Sequence, residues 1–118
     1  MMSTHNCLFC RIVQGEIPSK KVYEDEDMLA FHDIHPAAPI HFLLIPKQHI
    51  DSLAQAGQAH MALLGKMLLL IPKLAREHGL EGGFRIVINT GQDGGQEVSH
   101  LHLHVIGGGK LPVMVRRD

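Results

Sequence analysis

His100-Leu101-His102-Leu103-His104-Val105-Ile106 alternates imidazole and aliphatic side chains without exception. In a strand, that period of two sends the three imidazoles to one face and Leu101, Leu103 and Val105 to the other, so one face is core and the other is available for chemistry. A lone histidine is usually a hydrogen-bonded bystander, but three on one face call for a chemical explanation. The first candidate is a shared metal ion, as in three-His zinc hydrolases. Same-face neighbours in a strand are roughly 6.6 to 7 Å apart at Cα, which puts His100 and His104 roughly 13 Å apart, awkward for one ion. The second is an imidazole nucleophile at phosphorus, with neighbouring donors holding the charge. Spacing favours the second.

The residues just before this strand fit it. Thr90-Gly91-Gln92-Asp93-Gly94-Gly95-Gln96-Glu97 is a polar, glycine-rich loop. Taken alone it reads as a tight turn. Beside three histidines, its glycines allow backbone N–H groups to approach a phosphate, with Asn89 aimed at the same place. Gly107-Gly108-Gly109-Lys110 lacks the leading glycine spacing and the Ser or Thr of a P-loop.

Further out, Phe84–Asn89 reads as the strand before the loop, and Asp51–His78 as one long helix stopped by Gly79. Pro72 inside it predicts a kink or break near Leu68–Ile71. Val22–Glu24, Met28–Ile34 and His41–Ile45 read as an antiparallel meander, and Cys7–Gln14 as a short helix ended by Gly15 and Pro18. The expected fold is therefore α+β: an antiparallel sheet of about five strands with one long and one short helix, in one domain over residues 1–118.

With 11 Lys and Arg against 12 Asp and Glu, the net charge of −1 gives no reason to expect long nucleic acids as partners. The polar opening Met1–Asn6 lacks the pattern of a secretory signal, and the richest apolar run, Met67–Ile71, is too short to span a membrane. A cytoplasmic protein with reduced thiols and no membrane partner is the expectation. In that setting Cys7 and Cys10 are open to three readings: a redox pair, two buried small residues, or half of a zinc site.

These residues resemble the histidine triad (HIT) superfamily, whose signature His-x-His-x-His followed by two apolar residues stands here at His100–Ile106. Glu16-Ile17-Pro18, Tyr23-Glu24-Asp25, Leu29–Ile34, His41–Lys47 with His49, and Asn89 followed by Asp93-Gly94-Gly95-Gln96 are similar to its Hint branch, so the likeness spans nearly all of residues 7–109. The resemblance implies a homodimer with joined sheets. It also implies purine nucleoside monophosphate conjugates as ligands, with phosphoramidate or acyl-adenylate links hydrolysed as in a purine nucleoside phosphoramidase. His102 matches the nucleophile, His104 and His41 the histidines that line the phosphate, and Asn89, Gly95 and Val98 its polar and backbone contacts. Asp33 resembles the carboxylate that receives the ribose hydroxyls, and Leu8, Phe9, Ile12, Phe31, His32 and Ile34 the slot around the base. Relatives that carry the Cys pair imply a structural zinc on Cys7, Cys10, His49 and His100, a closed set without an open position, and no catalytic metal.

Two residues depart from the pattern. Glu97 stands where many relatives carry a Ser that touches phosphate, and Pro72 falls in the helix expected near the dimer interface. The mechanism expected is in-line attack by neutral His102, with its far ring nitrogen donating to the His100 backbone carbonyl, then hydrolysis of a nucleotidyl-histidine. The alternatives are a purine nucleotide-binding or scaffold protein without turnover, and a dinucleoside polyphosphate hydrolase or nucleotidyl transferase.

Overall fold

The computed structural model describes residues 6–115; Met1–His5 of the polar opening lie outside the described residues. Helix α1 (Leu8–Val13) is followed by strands β1 (Lys21–Glu24), β2 (Met28–His32) and β3 (Ile40–Pro46), helix α2 (Met61–Glu77), and strands β4 (Phe84–Val87) and β5 (Leu103–Gly107). The strands form one antiparallel sheet in the order β1-β2-β3-β5-β4, so the histidine-bearing strand inserts between β3 and β4.

Both faces of the sheet are covered, which is why β2 and β3, apart from His32 and His41, are apolar rather than alternating. Met28, Ala30, Phe42, Leu44, Leu103 and Val105 pack with Met67, Ile71 and Leu74 of α2. Leu29, Phe31, Leu43 and Ile45 pack on the opposite side with Phe9, Cys10 and Ile12 of α1. His104 pairs directly with Leu43 across β3 and β5 and so belongs to the α1 side, while Val105, paired with Phe42, belongs to the α2 side. The short helix therefore roofs the face that carries the imidazoles.

Two element boundaries and the continuity of the long helix correct the sequence reading. The long helix begins at Met61 and not at Asp51: Ser52 Oγ accepts from Ala54 N–H and starts a 3-10 turn (Leu53–Gln55), and extended backbone at Ala56 and Gly57 separates it from a second turn (Gln58–His60). Through Pro72 the helix runs without a break. The carbonyl deprived of its N–H partner belongs to Leu68, a residue on the exposed side of the helix. The last strand begins at Leu103 and not at His100, because Leu101 N–H bonds Ile50 O and the rings of His100 and His102 take up nearby carbonyls. Among the described residues no helix is long and apolar enough to cross a membrane.

Candidate active site and metal centre

His102 leads into β5 and is almost fully buried. Its Nδ1 lies 2.7 Å from the His100 carbonyl oxygen, which can only accept, so Nδ1 carries the hydrogen, and Nε2 is the nitrogen that holds the lone pair of the neutral ring. The ring stands edge-on to Phe9 of α1 and to His104, each with centroids 5.1 Å away. Among the described residues nothing bonds Nε2, and the residue lines an open cleft.

His41 and His104 form a second fixed unit. Ala37 N–H donates to His41 Nδ1 at 2.9 Å, so the hydrogen of the neutral ring sits on Nε2. That nitrogen is 2.9 Å from His104 Nδ1, which must accept; His104 therefore carries its own hydrogen on Nε2, beside the lone pair of His102. Burial, followed by the neighbouring His102 and His41, holds His104 below the ordinary histidine range, in keeping with a neutral ring. Asp33 Oδ2 lies 3.4 Å from His41 Nε2. Asp33, His41 and His104 lie close enough to share a cation, yet the hydrogen on His41 Nε2 occupies the very direction a cation would need. The cluster is a hydrogen-bond relay.

The cleft gathers every residue that the sequence reading assigned to nucleotide binding. Phe9 and Ile12 from α1 and Phe31 from β2 form its buried apolar wall, and Phe9 meets Phe31 edge-on at 5.6 Å. Leu8 and Ile34 stand at its rim, 44% and 86% exposed. His32 borders it with its ring edge-on to His78 at the end of α2. Asp33 also borders it, its Oδ1 accepting from His35 N–H at 2.8 Å. Asn89, Gly95 and Val98 come from the loop side, where Gly95 has φ +82° and a Cβ at Gly94 would lie 2.3 Å from Thr90 O. Those two positions explain the Gly-Gly pair sterically.

On the inner side of His100 lies a separate cluster. Cys7, Cys10, His49 and His100 bring four ligand atoms within 4.8 Å of one another. His100 Nε2 donates to Pro46 O at 2.8 Å and turns Nδ1 to Cys7 Sγ at 3.3 Å and Cys10 Sγ at 3.5 Å. His49 Nε2 donates to Asp51 Oδ1 at 2.6 Å and turns Nδ1 to Cys10 Sγ at 3.2 Å. Burial lowers His100 to about 4, so its ring is neutral. Burial and the adjacent Cys7 push the Cys10 thiol up to about 12. Two sulfurs and two imidazole nitrogens, each ring anchored from behind by an oxygen, form a donor set that fits a metal ion. The three triad histidines thus serve two centres, which excludes a single ion shared among them.

The HIT domain family matches residues 14–111. The chain belongs to the HIT family. It is 58% identical over 102 residues to Protein HitA of Neisseria gonorrhoeae, covering 86% of this chain and 95% of that protein. In structure it is similar to a HIT family hydrolase of Legionella pneumophila (49% identity, TM-score 0.89, 91% of this chain and 96% of that one). A histidine triad protein of Clostridium difficile superposes with TM-score 0.91 at 48% identity, covering 97% of this chain and all of the other (100%).

Within this HIT chain, several groups at the two centres escaped the sequence reading. Ala37 N–H and Pro46 O set the tautomers of His41 and His100, and Asp51 anchors His49. Gln96 donates to Asp51 O and Val98 O and accepts from Gly91 N–H, pinning both ends of the glycine loop. Ser19, Lys20 and Leu43 also line the cleft. Lys20 and Ser19 carried no periodic or spacing signal; Gln96 sat in the quoted loop, where its type alone did not mark it as a clamp.

Proposed function

We propose that this HIT protein is a nucleotidyl hydrolase that cleaves purine nucleoside phosphoramidates or acyl-adenylates through a nucleotidyl-histidine at His102. The observation that carries the reading is the tautomer of His102: Nδ1 is committed to His100 O, so the lone pair on Nε2 opens into the cleft next to the Nε2–H of His104. A lone pair and a donor side by side suit attack on phosphorus and stabilisation of a non-bridging oxygen. The apolar wall suits a flat purine, and Asp33 at its end suits a ribose diol. The cleft of about 1330 Å³ exceeds the roughly 300–1,000 Å³ of common small-molecule pockets and so leaves room for a leaving group beyond the nucleotide.

For a phosphoramidate, Nε2 of His102 bonds to phosphorus as the P–N bond breaks, and the departing nitrogen takes the electron pair and a proton from water. Water then attacks phosphorus, the bond to Nε2 breaks, and the proton released replaces the one consumed. The products are an amine and a nucleoside monophosphate.

Zinc is the metal that best suits Cys7, Cys10, His49 and His100, since two thiolates and two imidazoles make a closed tetrahedral set. When bound, it supplies a structural tie between α1 and the segment leading to His102. A homodimer is part of the same proposal: β4 ends the sheet with one edge unpaired among the described residues, and Met61, Leu68 and Leu69 of α2 and Phe84 of β4 are exposed. The test of the central reading is mass spectrometry of protein quenched with an adenosine phosphoramidate. A nucleotidyl adduct on the His102 peptide supports it, and an adduct elsewhere, or none during turnover, rejects it.

A further inference from the structure

Glu97 is a cleft carboxylate that, unlike Asp33, has no side-chain partner among the described residues to offset its charge toward a phosphate ligand. Among the described residues the cleft has two carboxylates, Asp33 and Glu97. Asp33 is engaged by His35 N–H and lies beside His41. Glu97 is exposed, and among the described residues it makes no side-chain hydrogen bond or ion pair. Its backbone is nevertheless held in place: Gln96 bonds Asp51 O, Val98 O and Gly91 N–H, and His100 N–H bonds Val98 O at 2.8 Å. The carboxylate therefore has a fixed root on the loop side of the cleft, next to Val98, which packs against the cluster of Phe9, Ile12 and Phe31. At His104, the imidazole next to His102, burial dominates, and the Glu97 charge opposes it only weakly.

A fixed negative charge near a phosphate costs affinity unless the ligand brings a positive charge with it. If the base lies against Phe9 and Phe31 and the phosphorus at His102, Asn89, Gly95, Glu97 and Val98 are the lining residues left to meet the rest of the conjugate. We propose that Glu97 selects nucleotide conjugates whose leaving group carries a cationic amine, such as a diamine or the amide of a basic amino acid. This specificity rests on the hydrolase reading above and names the substrate class for the same site. The leaving group keeps its ammonium throughout, so Glu97 neither gives nor takes a proton; it binds through charge.

The test uses three adenosine 5′-phosphoramidates with leaving amines of equal length: one ending in an ammonium, one in a methyl ether, one in a carboxylate. In the wild type, kcat/KM for the cationic substrate should exceed that for the neutral one by about threefold to fivefold, as an exposed ion pair allows, and the anionic one should be the slowest. The ratio should shrink at high ionic strength, fall close to unity in Glu97→Gln, and be largely retained in Glu97→Asp. A merely structural role for Glu97 would alter all three substrates alike. If Glu97→Gln keeps the wild-type ratio, the proposal is overturned while the hydrolase reading stands. If no substrate is turned over, the hydrolase reading fails, and calorimetric binding of uncleavable phosphonate analogues with the same three tails decides the charge preference: a cation preference lost in Glu97→Gln supports it, and equal affinities overturn it.

Discussion

His100 and His102 are two residues apart and present opposite nitrogens. His100 gives its Nε2–H to Pro46 O and faces two buried thiols with Nδ1; His102 gives its Nδ1–H to the carbonyl of His100 and faces the cleft with Nε2. Both carbonyls belong to the backbone, so main-chain geometry sorts two identical side chains into a metal-type ligand and a nucleophile-type base. The wider clusters repeat the contrast. The inner one is closed, with every ring backed by an oxygen and every lone pair turned to sulfur. The outer one ends in a lone pair and an N–H that have no partner among the described residues, at an open cleft.

That contrast predicts unequal consequences when each half is broken. His102→Ala should bind nucleotide yet lose turnover by about a thousandfold or more, because the rings of His41 and His104 are tied to each other and neither can replace the Nε2 lone pair of His102. Steady-state kinetics within tenfold of wild type would remove His102 from the nucleophile role. Elemental analysis should find roughly one zinc per wild-type chain and none in Cys7→Ser with Cys10→Ser, whose Tm should be lower by roughly 10 °C or more, with residual catalysis. Complete loss of chemistry on gentle chelation of a folded wild type would instead place the metal in the reaction.

Acid should separate the metal-free protein from the loaded one. Burial lowers His100 from 6.5 to about 4 and also lowers His104, so between those values the unfolded chain binds more protons than the folded one. Stability of the metal-free protein is therefore highest above about pH 6.5 and falls as pH drops toward 4, by roughly 2 to 3 kcal/mol for a group like His100. Urea titrations across that window should show the loss, and a flat profile would contradict the buried neutral ring. The smallest effect concerns Asp33. Asp33→Ala should weaken ribonucleotides about tenfold relative to analogues lacking the ribose hydroxyls, the size of a hydrogen bond to a charged group. Equal losses in calorimetry would take Asp33 out of the ribose role.

Much of this was legible from side-chain pattern. The period of two at His100–Ile106 put the imidazoles opposite Leu103 and Val105, and His41, Asn89 and Asp33 do border the same cleft as His102 and His104. What escaped was set by the main chain or by distant pairing. The strict alternation hid the point at which the strand begins, because Leu101 keeps its inward position while its N–H goes to Ile50 O instead of a strand neighbour. The helical spacing of Leu53 and Ala56 continued that of Met61–Ala75, yet Ser52 and Gly57 divide it into turns. The insertion of β5 between β3 and β4 pairs residues some sixty positions apart, such as Leu43 with His104, which local patterning does not encode. Pro46 O and Ala37 N–H carry no side-chain signature at all.

The division of labour between His100 and His102 is tested most directly by long-range 15N–1H NMR of the imidazole rings at neutral pH. The expected result is the Nε2–H tautomer for His100 and the Nδ1–H tautomer for His102, each persisting on the NMR timescale. An Nε2–H tautomer for His102, which would leave no lone pair at the cleft, would contradict it.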